Sequence, residues 1–437
     1  MWQQATRRDV VKRGVYWLAG LSLAGLASCG KGGASGQKQE LLNMTYWGGT
    51  ERMHRTMQVV NMFQKKYPAL QVNSQATDWQ GYWNKLATQI AGGRIPDLIQ
   101  MDTRYLALYI RKNLLLNLSP YIPKQLSLAD FDQELLKGNE LNAAIYGVPL
   151  GGQYVALVIN RDILEKAHMQ PPDEHLTWQT FATYTQQITA SLGAKIYGTG
   201  DASGSIPLFE LFIRQKGKEL FTADGKLNIE RQDVIEWWTY WEELRRSGGC
   251  IPADQQGSNQ SYDPSQSLLV LGKVAMDFAT TNFLETFQQL TPHTLALVLP
   301  PTGQHPGMYF KATMLLSGSA KTSYAQDVVS FINFFIHDSG AIKALGMDRG
   351  LPGSAKAREL LKPDMTPAQQ KELAYIQQVS TSQNSAPKRL LDPPGAGQVE
   401  QILGRMAQAV SFHQQSIGAA ADSFLAQSEQ ALKEKAA

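Results

Sequence analysis

The residue types that catalyse reactions or bind metals are present in this chain, but not at the spacings that those chemistries need. Seven histidines occur without an HExxH pair or a CxxC motif, so no metal site is predicted. A GxSxG elbow and a phosphate-binding P-loop are also missing from the sequence. Glu242 and Glu243 are adjacent, and neighbours on a helix point in different directions, whereas a glycosidase needs two facing carboxyls. We therefore expect a protein that is not an enzyme and has no cofactor.

One cysteine lies at a boundary between an apolar and a polar segment. Basic residues at positions 7–13 precede an apolar run at 15–28, which is shorter than the roughly 20 residues of a bilayer span and is typical of a signal peptide. The run ends in LASC, which resembles a bacterial lipobox. Cys29 is therefore predicted to be acylated and to become the mature N-terminus. Residues 29–40 are rich in glycine, serine and lysine, and predict a flexible tether.

The export route and the role of the second cysteine are open at this point. The segment TRRDVVK resembles a twin-arginine export signal with Arg7 and Arg8 as the pair, although Val10 replaces the usual phenylalanine. Cys250 has no second cysteine to pair with in a mature chain that is acylated at its first residue. We interpret it as a small structural residue, with a reactive thiol as the alternative.

Length and composition favour a folded protein of two domains. A chain of 437 residues is longer than one hydrophobic core usually serves. Hydrophobic residues make up 43% and charged residues 18%, which is typical of a globular protein. The net charge of +3 gives no support for a nucleic-acid partner, which would need a clustered basic surface.

Hydrophobic patterning predicts an α/β architecture from about residue 41 onward. The apolar runs LLNMTYW, LQVNSQA and IPDLIQM predict strands, and they alternate with helical periodicity at residues 52–67 and 82–91. The strands KVAMDFA, HTLALVLP and ATMLLS follow a more helical middle segment. Residues from about 355 onward predict helices around one long loop.

Several of these stretches, in this order, resemble the bacterial extracellular solute-binding protein family 1, the sugar-binding subunits of ABC importers. The glycines of AGGR are typical of a helix end, and the proline of IPDLIQM stands at a strand start, where it removes no ladder hydrogen bond. The matching runs, spread over residues 41–353, are FQKKYPALQV, KLATQIAGGRIPDLIQM, AIYGVPLGGQYVALVINRDILEKA, LTWQTF, LGKVAMDF and SYAQDVVSFINFF.

The resemblance implies a two-lobe periplasmic-binding-protein fold of type II, with about three crossovers and a ligand cleft that closes by hinge motion. It implies capture of a sugar, oligosaccharide or glycosyl-polyol by an exported, lipid-anchored monomer at the periplasmic or outer side of the membrane. The implied partner is an ABC permease with its cytoplasmic ATPase. After a signal peptide at residues 1–28, the expected N-lobe is 41–152 plus 280–318 and the expected C-lobe is 153–279 plus 319–437.

Sugar binding makes a demand on residue types. A pyranose has an apolar face that stacks on aromatic rings and hydroxyls that need donors and acceptors. The resemblance places such side chains where strands end or where the chain crosses between lobes, with residues 277–282 at the second crossover. The predicted ligand-binding residues are Trp47, Glu51, Asp78, Trp79, Asp102, Gln153, Tyr154, Asp277, Asn282, Tyr309 and Arg349.

Other interpretations compete at several of these positions. Trp47 could pack in the core, Asp78 could merely cap a helix, and Arg349 could pair with Asp348 on the surface. The tryptophans at 237–241 favour core packing because their spacing covers more than one helix face. Two other functions also remain open, namely a lipid-anchored carbohydrate hydrolase and the same fold binding a polyamine or an organic phosphate. A cavity lined by aromatic and mixed polar groups would favour a sugar.

Overall fold

The computed structural model describes residues 40–256, 264–386 and 390–436. Within these ranges the strands form a five-stranded sheet in the order β2-β1-β3-β11-β6, a four-stranded sheet in the order β10-β7-β9-β8, and the hairpin β4-β5. The strands are β1 (Glu40–Trp47), β2 (Leu70–Thr77), β3 (Leu98–Met101), β4 (Glu140–Leu141), β5 (Ala144–Ile145), β6 (Val148–Gln153), β7 (Val155–Asn160), β8 (Tyr197–Thr199), β9 (Val274–Thr280), β10 (Leu295–Val298) and β11 (Lys311–Gly318).

Helices cover both sheets, so the predicted α/β architecture is confirmed. The predicted strands LLNMTYW, LQVNSQA and KVAMDFA correspond to β1, β2 and β9. The helices are α1 (Thr50–Lys66), α2 (Trp79–Ala91), α3 (Thr103–Arg111), α4 (Gln133–Lys137), α5 (Arg161–Lys166), α6 (Trp178–Ser191), α7 (Ile206–Gln215), α8 (Arg231–Arg246), α9 (Ala253–Gln256), α10 (Leu284–Leu290), α11 (Ala325–His337), α12 (Ser339–Leu345), α13 (Ala355–Leu361), α14 (Pro367–Thr381), α15 (Ala396–Ser411) and α16 (Ile417–Ala436).

The five-stranded sheet brings the ends of three parallel strands to one edge. β1 pairs in parallel with β2 and β3, while β11 pairs antiparallel with β3 and β6. Parallel strands require crossover connections, which α1 and α2 supply. The residues after β1, β2 and β3 therefore lie along the same edge, as the sequence predicts. Apolar side chains on the two faces of this sheet form two separate core clusters.

The four-stranded sheet is built around β7 and β9, and its core is rich in aromatic residues. β7 pairs antiparallel with β9 and β10, while β8 pairs in parallel with β9. Trp237, Trp238 and Trp241 on α8 are 0% exposed, so their interpretation as core residues is confirmed. Cys250 is also buried in this core, and burial raises the pKa of its thiol well above the usual range, which favours the structural interpretation.

We define the N-lobe as the five-stranded sheet with its packed helices and the C-lobe as the four-stranded sheet with its own. The division of the chain differs from the expected one at two places. α10 and β10 lie in the C-lobe, because Leu284 and Phe287 of α10 belong to its core and β10 pairs with β7. Helices α11 and α12 lie in the N-lobe because their apolar residues belong to a core of the five-stranded sheet.

Within the described ranges the chain crosses between the lobes at residues 153–154, 299–310 and 346–354. The expected number of about three crossovers is therefore confirmed. The second crossover lies after β10, and residues 277–282 instead lead from β9 into α10 inside the C-lobe. No single helix among the described residues is long and apolar enough to span a membrane; the bent pair α11 and α12 passes that test by length and composition alone.

Trp178 has a structural role that can be tested. Its indole N–H donates a 2.7 Å hydrogen bond to Gln215 Oε1, and the amide of Gln215 donates one of 2.7 Å to the carbonyl of Pro301. Trp178→Phe leaves the buried Gln215 oxygen without its donor. We expect the free energy of unfolding in urea to fall by about 1–3 kcal/mol. Unchanged stability would contradict this role.

Candidate functional site

The first strand ends in an aromatic cluster. Trp47 is 7% exposed, and its ring makes edge contacts with Trp79 and Tyr82 at centroid distances of 5.0 and 5.2 Å. Next to it, Trp83 stacks on Tyr105 at 3.8 Å. The structure therefore places Trp47 in the core, as its competing interpretation has it, and leaves the half-buried Trp79 at the border of the cluster.

The predicted acids at the strand ends organise the backbone. The carboxylates of Asp78 and Asp102 cap α2 and α3, each accepting a 2.8 Å hydrogen bond from a backbone N–H. Capping of this kind satisfies backbone donors that a helix leaves unpaired. Glu51 is exposed and pairs with Arg55 at 2.7 Å on the same helix. These three carboxylates thus have local partners, and Asp102 alone of them is buried.

Arg349 does pair with Asp348, but inside the N-lobe and not on the surface. It is 3% exposed, its guanidinium contacts Asp348 Oδ2 at 3.1 Å, and it donates a 2.7 Å hydrogen bond to Thr56 Oγ1. The guanidinium also lies over the ring of Phe335 at 5.4 Å. Burial lowers the pKa of Arg349 to about 10. These contacts anchor the third crossover to the N-lobe, and Arg349 is not among the residues that line the cavities described below.

Two further candidates, Asp277 and Asn282, lie inside the C-lobe. Asp277 is buried in β9, opposite Val158, and accepts a 2.9 Å hydrogen bond from the backbone N–H of Phe278. Asn282 accepts a 2.7 Å hydrogen bond from the hydroxyl of Thr280. Neither residue lines the cavity described next.

A cavity of about 40 Å³ lies between the lobes, where the first and second crossovers meet. Two predicted residues, Tyr154 and Tyr309, line it, and Gln153 is adjacent through its pairing with Lys311. The walls combine aromatic rings with polar groups of both charges. The polar and tyrosine residues that line it are Thr103, Glu134, Asn139, Tyr154, Tyr309, Lys311 and Ser385.

Two buried polar atoms on residues that line this cavity have no hydrogen-bond partner within the described residues. They are Thr103 Oγ1 and Asn139 Oδ1, on side chains that are 3% and 4% exposed. Thr103 begins α3, and Asn139 follows α4. A buried polar group without a partner costs about 1–3 kcal/mol. The hydroxyl of Thr103 can therefore donate or accept a hydrogen bond to a ligand, and the amide oxygen of Asn139 can accept one, at no loss of an existing bond.

Neighbouring side chains fix the positions of the two tyrosines that line the cavity. The hydroxyl of Tyr309 donates a 2.8 Å hydrogen bond to Glu210 Oε2, and the guanidinium of Arg214, which pairs with Glu219, lies 5.1 Å from the ring centroid. Tyr154 packs against Phe310 at 5.0 Å. These contacts fix the ring planes that a ligand would meet.

Ion pairs connect the lobes beside the cavity. Arg104 Nε in α3 lies 3.2 Å from Glu400 Oε2 in α15. Lys311 Nζ in β11 lies 3.5 Å from Asp392 Oδ2 in the segment before α15. Both pairs are less than 16% exposed on either side chain.

A larger cavity of about 220 Å³ lies within the C-lobe, between α9 and α15. Its described lining contains no buried polar atom without a hydrogen-bond partner. Asp201 at its wall is paired with Arg245. The inter-lobe cavity is therefore the better candidate for a ligand site.

Sequence reasoning found the crossover tyrosines but not most of the polar lining. Thr103 directly follows the predicted residue Asp102, and Lys311 is two positions after the predicted residue Tyr309. The search for ligand-binding residues near strand ends and crossovers therefore reached the correct segments of the chain. Asn139 and Ser385 come from loops without hydrophobic periodicity, which gave no signal. Cys29 lies outside the described residues.

Two α/β lobes, three described crossovers and a lined cavity between the lobes define a two-lobe solute-binding protein. The chain belongs to the bacterial extracellular solute-binding protein family, whose model matches residues 58–373. The resemblance seen in the sequence is thereby confirmed. Membership implies an exported binding protein whose partners are a solute and an ABC importer.

Relatives and solved structures agree with this assignment. A protein of Brucella abortus that is named as a binding protein is 24% identical over 324 residues, 72% of this chain and 75% of its own. The extracellular solute-binding protein family 1 from Alicyclobacillus acidocaldarius is 26% identical with a TM-score of 0.66, over 90% of this chain and 98% of that chain. A periplasmic oligogalacturonide binding protein from Yersinia enterocolitica, in complex with saturated digalacturonic acid, is 22% identical with a TM-score of 0.80, over 90% and 99%.

Proposed function

We propose that this protein is the lipid-anchored substrate-binding subunit of an ABC importer and that its ligand is a sugar, an oligosaccharide or a glycosyl-polyol. The observation that carries the proposal is the mixed lining of the inter-lobe cavity. Tyrosine rings stand beside polar atoms without partners, namely Thr103 Oγ1 and Asn139 Oδ1. A sugar uses such rings for its apolar face and such atoms for its hydroxyls. The ligand of the Yersinia neighbour, digalacturonic acid, also supports a carbohydrate.

Ligand entry requires the lobes to separate. A cavity of about 40 Å³ holds only a few water-sized groups, whereas ligand pockets typically measure about 300–1,000 Å³. Opening must break the Arg104–Glu400 and Lys311–Asp392 pairs. The same pairs can re-form when the lobes close around a ligand.

The direct test is isothermal titration calorimetry with mono- and disaccharides and glycosyl-polyols, preceded by a thermal-shift screen. A ligand that binds only the native state increases the free energy of unfolding, by about 2.7 kcal/mol at one hundred times its Kd, and therefore raises Tm. Recovery of the ligand unchanged after incubation separates binding from hydrolysis. Absence of binding to every carbohydrate by the folded protein contradicts the sugar proposal.

Thr103→Val gives a sharper test of the site. Valine keeps the shape of threonine, and Thr103 Oγ1 has no partner to lose among the described residues, so we expect unchanged or slightly higher stability. Affinity for the ligand should fall about tenfold, because one buried hydroxyl contact is worth about 1–1.5 kcal/mol. Thr88→Val, on an exposed threonine of α2, is the matched control. Equal affinity of both variants would remove Thr103 from the site.

The proposed lipid anchor has its own test. Mass spectrometry of protein extracted from membranes should find an N-terminal diacylated Cys29, and Cys29→Ser should release the protein from the membrane. We expect the mature protein to be a monomer by light scattering. A mature chain that retains Met1 would contradict the processing.

A further inference from the structure

Lys311, the cation among the described residues that line the inter-lobe cavity, is already paired with a carboxylate. Lys311 lines the cavity, and its Nζ lies 3.5 Å from Asp392 Oδ2. The two side chains are only 11% and 2% exposed, so solvent screens their attraction weakly. A ligand carboxylate that enters the cavity must compete with Asp392 for the ammonium, and it adds a second buried negative charge.

A second positive feature of the described lining, the N-terminus of α3, is also neutralised. Thr103 is the first residue of this helix and lines the cavity. A helix N-terminus carries about half a positive charge, which attracts anions. The carboxylate of Asp102, 6% exposed, already accepts a 2.8 Å hydrogen bond from the backbone N–H of Arg104. The helix end therefore offers a hydroxyl but little net attraction for an anion.

Further carboxylates surround the two tyrosines of the cavity. Glu134 lines it, and with Asp132 it adds to the effect of burial, which raises the pKa of Tyr154 to about 12. The hydroxyl of Tyr309 donates its hydrogen bond to the buried carboxylate of Glu210. Among the described residues that line the cavity, the charges that face a ligand are thus balanced or negative.

We infer that this cavity selects uncharged sugars over sugars that carry a carboxylate, with the Lys311–Asp392 pair as the specificity determinant. The inference rests on the proposed function, since it assumes a carbohydrate ligand. A sugar hydroxyl both donates and accepts, so it can bond to the ammonium and to the carboxylate in charge-assisted contacts. A uronate offers the ammonium a competing charge and meets Asp392 as a like charge. The selectivity is opposite to that expected from the acidic ligand of the Yersinia neighbour.

The experiment compares matched pairs of ligands at pH 7.5 by calorimetry: glucose with glucuronate, galactose with galacturonate, and a neutral digalactoside with digalacturonate. Where wild-type protein binds a pair at all, its affinity for the neutral sugar should be at least tenfold higher than its affinity for the matching uronate.

Asp392→Asn removes the competing charge and should reduce this ratio of affinities at least tenfold. Lys311→Met, a second variant in case Asp392→Asn does not fold, should weaken binding of both members and at least preserve the preference for the neutral one. Asp224→Asn, which changes the net charge equally at an exposed site, should leave the ratio unchanged.

Two results would overturn the inference while leaving the proposed function intact. The first is tighter binding of the uronate by wild-type protein. The second is a ratio in the folded Asp392→Asn variant equal to that of wild type. Failure of wild-type protein to bind either member of every pair would instead count against the proposed function itself.

Discussion

Gly151→Ala is expected to lower the free energy of unfolding by more than about 4 kcal/mol, a loss that few single substitutions cause. Gly151 lies in β6, where the third crossover passes over it. A Cβ at this position would overlap the carbonyl of Arg349 and the backbone of Gly350. Neither atom can move away easily, because Arg349 is fixed by Thr56 and Leu351 pairs with Gly152 in both directions.

The neighbouring glycine gives the matched comparison. A Cβ at Gly152 would overlap the ring of Phe310, a side chain of the second crossover. Overpacking of this kind costs about 1–3 kcal/mol, because a side chain can move where backbone cannot. Phe310→Ala in the Gly152→Ala background should therefore recover part of the loss, whereas it should not rescue Gly151→Ala.

Urea unfolding of wild type, the three single variants and both double variants tests this expectation. In a double-mutant cycle, we expect the Gly152→Ala, Phe310→Ala protein to lose less stability than the sum of its single variants. The losses of Gly151→Ala and Phe310→Ala should simply add. Additive costs at 152 and 310, or a Gly151→Ala protein as stable as wild type, would show that the crossovers do not meet as closely as described.

The first crossover shows why the sequence located part of the site. The resemblance predicted ligand-binding residues where the chain crosses between lobes, and Tyr154, one of them, lies at such a crossing and lines the cavity. Strand ends were located as well, because alternation of strands and helices predicts them. What a side chain does at a strand end depends on its surroundings. Asp78 and Asp102 each directly precede a helix, and each caps the N-terminus of that helix.

Pairing between distant segments was beyond the reach of local pattern. HTLALVLP was predicted to be a strand, which is correct for β10, but its lobe depends on pairing with β7. The amphipathic helix α11 likewise could pack on either sheet, and its apolar face matches the N-lobe core. Asn139 and Ser385 reach the cavity only because loops without periodicity are folded over it.

A buried carboxyl in the C-lobe predicts an unusual dependence of stability on pH. Glu372 on α14 is 1% exposed, and its Oε1 has no hydrogen-bond partner within the described residues. Burial raises the pKa of Glu372 to about 8; the Glu285 carboxylate adds to this effect, and the hydroxyl of Thr281 partly offsets it. The folded protein therefore retains a proton that the unfolded chain loses at acidic pH.

The sign of the effect follows from the two pKa values. Below the ordinary value of 4.5 the carboxyl is protonated in both states and costs nothing. Between about 4.5 and about 8 the unfolded state binds fewer protons, so stability falls as pH rises, by up to about 1.4 kcal/mol per pH unit. Above about pH 8 the loss is complete, at roughly 5 kcal/mol over the whole window.

Glu372→Gln keeps the shape of the side chain and removes its charge, so it should be more stable than wild type at pH 9 and close to it at pH 5. Glu359→Gln, on an exposed side chain of α13, should follow the wild-type curve. Urea unfolding at intervals from pH 5 to 9 measures all three, and parallel curves for wild type and Glu372→Gln would contradict the prediction.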